Sequence, residues 1–288
     1  MDSRYSAMIM KAEQLSSLLK YNLEKIYIPF DLFFWGLLNV DDIDRIHKKK
    51  ISVYIVMPRI IRKRDNDYLE TFKNFLMQGK ADGVLIRNID SVGYIESIRD
   101  DLYSQYISVN GEVSDYTSLM IESDYSLYNW NKQSHGFIKA YTASQTVPME
   151  LSIHEIRELE DSNLVFPIYG RASLMVSANC VKKTTGNCMA DCTHGSFEWT
   201  LQDRKNKHFP VYSNCIHCYN EIFNSVPTSL HRQMVDIMKS GFSSFRLDFT
   251  DESNDMIEKI LSYYIVDNRK GAFPISEYTT AHFNKGAI

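Results

Sequence analysis

The chain has 288 residues, with 32 Lys+Arg against 36 Asp+Glu and a formal net charge of −4. That balance excludes a nucleic-acid binder working by bulk positive charge, which needs a basic excess to release counterions from phosphates. Only 12 Gly and 7 Pro, 44% hydrophobic residues, and no apolar run near the roughly 18–20 residues of a bilayer span exclude disordered, collagen-like and membrane-spanning classes. The N-terminus reads MDSRYSAMIMKAEQ, without the basic and apolar regions of a secretion signal, so a soluble, cytoplasmic protein with no membrane partner is expected.

The first 170 residues alternate stretches rich in β-branched and aromatic residues with stretches whose apolar residues recur every three or four positions. In chain order this predicts strands at 5–10, 25–30, 51–57, 83–88, 106–110, 147–151 and 164–169. Helices are predicted at 12–21, 41–49 and 67–78, the last with Tyr68, Phe72, Phe75 and Leu76 on one face. Asp41 is the expected cap of the second helix, and Ser152 followed by Glu155 forms a capping-box pattern for another. Further on come a helix at 229–238, a strand at 242–249 and a helix at about 255–264. Seven strands before a cysteine-rich segment and one after it make eight, the arithmetic of a TIM-like (β/α)8 barrel with a cysteine-rich insertion between the last two strands. An open doubly wound sheet gives the same local pattern, and only the count separates the two. The chain is thus read as one α/β barrel domain, 1–288, with residues 178–226 as a metal- or cluster-binding insertion.

The cysteines are Cys180, Cys188, Cys192, Cys215 and Cys218, all within 39 consecutive residues. An odd number, clustered, without a secretion signal, is a poor disulfide framework and a good candidate for metal ligation. Cys215-Ile216-His217-Cys218 has the two-residue gap that lets two thiolates meet one ion or one cluster edge. Cys180, Cys188, Cys215 and Cys218 are the expected ligands, with Cys192 as the alternative. Spacing leaves zinc and a 4Fe-4S cluster both open.

The same region carries a longer ordered pattern. It runs through Pro148-Met149-Glu150-Leu151-Ser152, Tyr169-Gly170-Arg171-Ala172-Ser173-Leu174-Met175-Val176-Ser177 and Cys180-Val181-Lys182-Lys183. It continues through Leu201-Gln202-Asp203-Arg204-Lys205, Phe209-Pro210-Val211, Cys215-Ile216-His217-Cys218 and Ile222-Phe223-Asn224-Ser225-Val226-Pro227. Over about residues 145–252 this resembles peptidase family U-32, the collagenase-like peptidases of unassigned catalytic type. Upstream, Asp124-Tyr125-Ser126-Leu127 with Asn129 and Asn131 is similar to another family segment. The resemblance implies a TIM-barrel core and one of two activities. One is proteolysis of collagen or gelatin fragments. The other is iron–sulfur-dependent hydroxylation of RNA or the ubiquinone ring, with four cysteines holding a 4Fe-4S cluster. It also implies the second half of a longer protein, or a short version of one, with a partner subunit or an N-terminal half as a possible partner.

No Gly-x-Ser-x-Gly elbow or His-Glu-x-x-His motif supports a familiar hydrolytic device. A barrel places its chemistry at the C-terminal strand ends, where the predicted polar residues are Asp31, Arg59, Asn88, Asn110, Glu150, Arg171, Arg246 and Asp248. Glu150 and Arg171, on consecutive predicted strands, are the catalytic candidates: Glu150 as acid/base, Arg171 as a bidentate holder of carboxylate or phosphate. A structural Glu–Arg pair is the plain alternative. Arg59, Asn129 and Arg246 are the substrate-binding candidates, Asn129 because Trp130 sits between it and Asn131. The basic run from Arg59 to Arg64 would attract an anionic substrate or simply be a solvated loop. The expected function is iron–sulfur-dependent hydroxylation of RNA or a small aromatic substrate. The alternatives are a peptidase and a non-catalytic partner subunit stapled by zinc.

Overall fold

The computed structural model describes residues 3–110, 119–188, 195–267 and 269–286. Seven parallel strands come first: β1 (Arg4–Met8), β2 (Lys25–Pro29), β3 (Ser52–Val56), β4 (Gly83–Ile86), β5 (Met120–Ser123), β6 (Ser144–Thr146) and β7 (Leu164–Gly170). An antiparallel sheet follows from β8 (Ser173–Ser177), β9 (Ser196–Gln202), β10 (His208–Asn214) and β11 (Tyr219–Phe223), in the order β8-β11-β10-β9. The short β12 (Thr228–Ser229) pairs with β7, and β13 (Ser244–Asp248) is the eighth parallel strand. Pairing of β13 with both β7 and β1, and of β6 with β7, closes the ring. Closure excludes the open doubly wound sheet and confirms the TIM-like barrel with its insertion between the last two strands.

Strand alternation sorts the side chains. Ala7, Ile26, Ile28, Val53, Ile55, Val84, Ile86, Phe245 and Leu247 belong to the main apolar cluster, packed with residues of the surrounding helices. The alternate positions point into the barrel, where Met8, Tyr27, Tyr54, Val56 and Leu85 form a second cluster. Arg246, Glu122 and Thr146 share that inward face through mutual contacts with Tyr27 and one another. A barrel interior this rich in charge is unusual, and it determines the chemistry of the mouth. Among the described residues no helix is long and apolar enough to cross a membrane.

Several local expectations are corrected. Residues 106–110 are the end of a helix spanning Ile89–Asn110, and the fifth strand lies at Met120–Ser123. Tyr, Ile and Val at 106–109 favour either state, while the true strand hides Glu122, whose burial is tolerable only because Lys25 Nζ and Tyr27 Oη lie 2.7 and 2.5 Å from its oxygens. The sixth strand ends at Thr146, which leaves Glu150 in the turn beyond it. Asn39, not Asp41, caps the helix Val40–His47, with Oδ1 accepting from the Asp41 N–H at 2.8 Å. The helix expected at 229–238 is Met234–Lys239, because 228–229 joins the sheet instead. Ser152 and Glu155 do form the capping box of Ile153–Glu158.

Gly170 ends β7 with φ +144, and a Cβ there would lie 2.7 Å from the Asp248 carbonyl oxygen. Glycine is therefore required where β7 meets the mouth end of β13. Gly170→Ala is expected to lower the unfolding free energy by about 1–3 kcal/mol, through both backbone strain and that clash. Urea denaturation of the variant measures the loss.

Candidate active site

Arg246 sits mid-strand in β13 with a fully buried side chain. A guanidinium without water must be neutralised and hydrogen-bonded, and here it is. Its Nη2 donates to Asp124 Oδ1 at 2.7 Å and Asp248 Oδ2 at 2.9 Å, and Nη1 donates to Thr146 Oγ1 at 2.9 Å. Nε lies 2.7 Å from Asp248 Oδ1, and the rings of Tyr27 and Tyr125 lie 5.5 and 5.8 Å from the guanidinium carbon. Asp248 is two residues along the same strand, so it shares Arg246's inward face. Asp124 directly follows β5 and Thr146 ends β6, so three strand ends converge on one cation.

A second tier lies beside it. Arg87, just past β4, places Nε 3.1 Å from Asp124 Oδ2 and Nη2 3.5 Å from Glu221 Oε1. Arg59, just past β3, places Nε 2.6 Å from the same Glu221 oxygen and donates from Nη2 to the Tyr125 hydroxyl at 3.0 Å. Glu221 belongs to β11, so the inserted sheet completes the barrel's charge network. Three arginines and three carboxylates balance, and Glu221 is 1% exposed.

Burial and charge push the carboxylates in opposite directions. Burial alone would raise Asp124, but Arg246, Arg87 and Arg59 outweigh it and hold the group at about 2. Asp248 is raised, because burial exceeds the pull of Arg246 and neighbouring Asp124 adds to it. Burial raises the Tyr125 phenol to about 12, against the pull of Arg59. Two carboxyls on one guanidinium thus have divided roles: Asp124 is fixed as an anion and Asp248 is the readier to take a proton.

Between the barrel rim and the inserted sheet lies a small recess whose enclosed space is about 20 Å³, the rest of it open to solvent. Met10, Pro29, Val56, Met57 and Pro58 give it apolar walls, and Asp31, Arg87, Tyr212, Asn214, Tyr219 and Glu221 give it polar ones. Asp31, which opens the helix Phe30–Phe34, accepts from the Tyr68 hydroxyl and from Asn214 Nδ2, both at 2.7 Å. Through Asn214 the barrel again grips the inserted sheet.

Of the expected site residues, Arg59, Arg246 and Asp248 meet in this network, linked through Tyr125, Asp124 and one another. Arg171 is engaged elsewhere: Nε donates to Asp251 at 2.9 Å and Nη1 to the carbonyls of Asn224 and Ser225, which braces the loops where the insertion returns. Glu150 is half-buried in its turn, with Oε2 shielded from water and unpartnered. No described contact joins it to Arg171, so the structural Glu–Arg pair, the plain alternative, is not formed. Asn129 donates to Gln145, which also bonds His135. Gln145 alternates with inward Thr146 and so faces outward, which places Asn129 behind the barrel wall and outside the mouth. Asn88 braces the Pro58 and Arg59 carbonyls, and Asn110 ends a helix. In the basic run, Arg62 and Arg64 donate to the His217 carbonyl and anchor the insertion.

The cysteines are spread along the insertion. Cys180 precedes the short helix Val181–Thr184, and Cys188 is exposed four residues after it. Cys215 and Cys218 share the β10–β11 turn, where Cys218 has φ +51 and its Sγ lies 3.7 Å from the Cys215 carbonyl oxygen. Cys192 lies outside the described residues. Among the described residues no three His, Cys, Asp or Glu side chains gather closely enough to hold a metal ion.

Arg87, Glu221 and the role of Asp124 were not singled out from sequence. The available signal was alternation: Asp124 extends the face of Glu122, and Glu221 is the charged residue in the hairpin strand Tyr219–Phe223.

No protein-family model matches this sequence, and no curated protein matches it significantly. Among solved structures, thiamine phosphate pyrophosphorylase from Pyrococcus furiosus is similar with TM-score 0.45 and 7% identity, over 93% of this chain and 97% of that one. The U32 peptidase Mk0906 is similar with TM-score 0.49 and 10% identity, over 87% and 94%. The Bacillus cereus spore cortex-lytic enzyme SleL is similar with TM-score 0.39 and 9% identity, over 86% and 71%.

The Asp124 shift makes an acid-stability prediction. Its folded value of about 2 lies below the ordinary carboxyl value near 3.9, so its contribution is complete above about pH 4 and drains as pH falls toward 2. The span corresponds to about 2–3 kcal/mol. Asp124→Asn is expected to flatten the stability curve across that window and to cost about 3–5 kcal/mol at pH 7 by stranding Arg246. Denaturant titrations of both proteins at stepped pH measure the two effects.

Proposed function

We propose that the chain is a barrel enzyme of the collagenase-like peptidase type, cleaving peptides at the mouth by general acid–base chemistry. The observation that carries this reading is the Asp124–Arg246–Asp248 constellation, two carboxyls on one guanidinium with protonation pushed apart. It lies where barrel enzymes keep their reactive groups. Asp248, with 11% of its side chain exposed, is the group that exchanges protons: it takes one from the attacking water and returns it to the departing amine. Asp124 stays ionised and fixes Arg246. Tyr125, against the Arg246 guanidinium, and Arg59, bonded to its hydroxyl, would supply the donors for a developing oxyanion.

One observation favours a second reading. Confinement of five cysteines to 39 residues suits an iron–sulfur-dependent modification enzyme acting on RNA or a small aromatic substrate. In that case the partner or missing half named by the resemblance would supply what the described thiols lack. The peptidase reading does not route any step through a metal.

The test is cleavage of gelatin and of short peptides by the purified chain, with metal and sulfide analysis of the same sample. Asp248→Asn is expected to lower kcat by about 100-fold or more while the folded signal persists. No cleavage in a folded sample sinks the peptidase reading. About four irons and four sulfides per chain would transfer support to the modification enzyme, and one zinc without turnover to the scaffold.

A further inference from the structure

We propose that two copies of the chain associate through β8, each Ser173–Ser177 strand pairing antiparallel with its own symmetry copy. The contact joins the inserted sheets and is independent of the chemistry at the mouth.

Three observations carry it. First, β8 is open along one edge. It pairs with β11 alone, and among the described residues no strand or loop hydrogen-bonds the backbone groups on its other side. Such a row of N–H and C=O groups is a template for another strand. Second, the strand carries none of the usual guards of an open edge. It has no charge and no proline, and Leu174, Met175 and Val176 are 54%, 57% and 36% exposed. Three consecutive exposed residues make both faces of the strand apolar, since side chains alternate between faces. The opposite edge of the same sheet is guarded: β9 contains Glu198 and is followed by Asp203, Arg204 and Lys205.

Third, the sequence of the edge selects its occupant. Ala172-Ser173-Leu174-Met175-Val176-Ser177-Ala178 has the same character read in either direction. Laid antiparallel on itself about Met175, it sets Ala172 opposite Ala178, Ser173 opposite Ser177, Leu174 opposite Val176, and Met175 opposite Met175. That is the condition of an isologous two-fold contact, in which residue i meets j and j meets i. Each opposed pair matches in polarity, and no charge meets its own copy, which is what stabilises cross-strand neighbours. A slip of two residues sets serine against Met175, so the register is specified. An edge built for unrelated extended peptides has no need of that symmetry. The pairing of β8 with β11 puts Val176 on the face of Glu221 and Met175 on the face of Ile222. The methionines therefore meet on one face of the joined sheet and the Leu174–Val176 pairs on the other.

One strand pair is a small contact, of the class below about 1,200 Å² that makes weak associations. The mass of the purified chain is therefore measured by sedimentation across the micromolar range, where it is expected to double with rising concentration. Met175→Lys sets two ammonium groups opposite each other and is expected to stay monomeric throughout. Its unfolding temperature in dilute solution should equal the parent's, because the side chain it replaces is exposed. Phe137→Lys, an exposed apolar position on the helix Lys132–Lys139, is expected to leave the dimer intact. Cysteine substitution reads the register and does not depend on the lysine variant folding. Opposed Cα atoms of antiparallel strands lie about 4.5–5.5 Å apart, within disulfide reach. Met175→Cys is thus expected to cross-link the two copies under mild oxidation, with peptide mass distinguishing that bond from those of the native thiols. Ser173→Cys should not link to its copy, which lies about 13 Å along the strand. The proposal is overturned if the parent chain stays monomeric, which gives the edge to a segment of another protein. It is also overturned if Met175→Lys still dimerises, or if Ser173→Cys cross-links as readily as Met175→Cys.

Discussion

Burying the guanidinium of Arg246 inside a closed barrel imposes a condition that the surrounding structure must meet. A charge in that position is unaffordable without counter-charge and a full set of acceptors. Asp124 and Asp248 supply the counter-charge and, with Thr146, the acceptors for Nη1 and Nη2, and they come from the ends of three different strands. The ring must therefore be closed and in register before the charge can be satisfied. Register errors of one residue would turn Arg246 outward and bury Phe245 or Leu247 in its place.

The same condition propagates to the insertion. Asp124 is shared with Arg87, Arg87 with Glu221, and Glu221 with Arg59, so neutrality at the centre extends step by step to a residue of the second sheet. Additional bonds from Arg62 and Arg64 to the His217 carbonyl, and from Asn214 to Asp31, hold the β10–β11 hairpin on the rim. The insertion is thus a wall of the mouth and a contributor to its electrostatics. Its hairpin carries Cys215 and Cys218 at the turn and Glu221 in the following strand, which places thiols and charge network on one element.

The division of labour between the two carboxyls on Arg246 follows from their surroundings. Asp124 touches two arginines and is sealed from water, whereas Asp248 is touched by one and borders solvent. Nearby positive charge wins at the first and desolvation at the second. By contrast, Arg171, which has the chain-level look of a substrate clamp, spends its donors on one carboxylate and two backbone carbonyls. Its contribution is to hold the ends of β7 and the insertion in place.

By itself the sequence determined the strand–helix alternation and the position of the insertion, because strand alternation and helical spacing are local properties that recur along the chain, whereas closure into a barrel was decided by the pairing of β13 with β1 and β7. It also marked Arg59, Arg246 and Asp248, polar residues falling just past or within apolar strands. Where a strand was short and carried a buried charge, as at Met120–Ser123, the local signal failed, since only the tertiary partners Lys25 and Tyr27 make Glu122 tolerable there. Tertiary structure alone decided that Asn129 faces away from the mouth and that Arg171 is spent on loops. It also decided that Glu221, 162 positions from Arg59 in the chain, completes the site. Charge pairing acts through space and not along the chain, so residues that neutralise one another leave no periodic trace in the sequence.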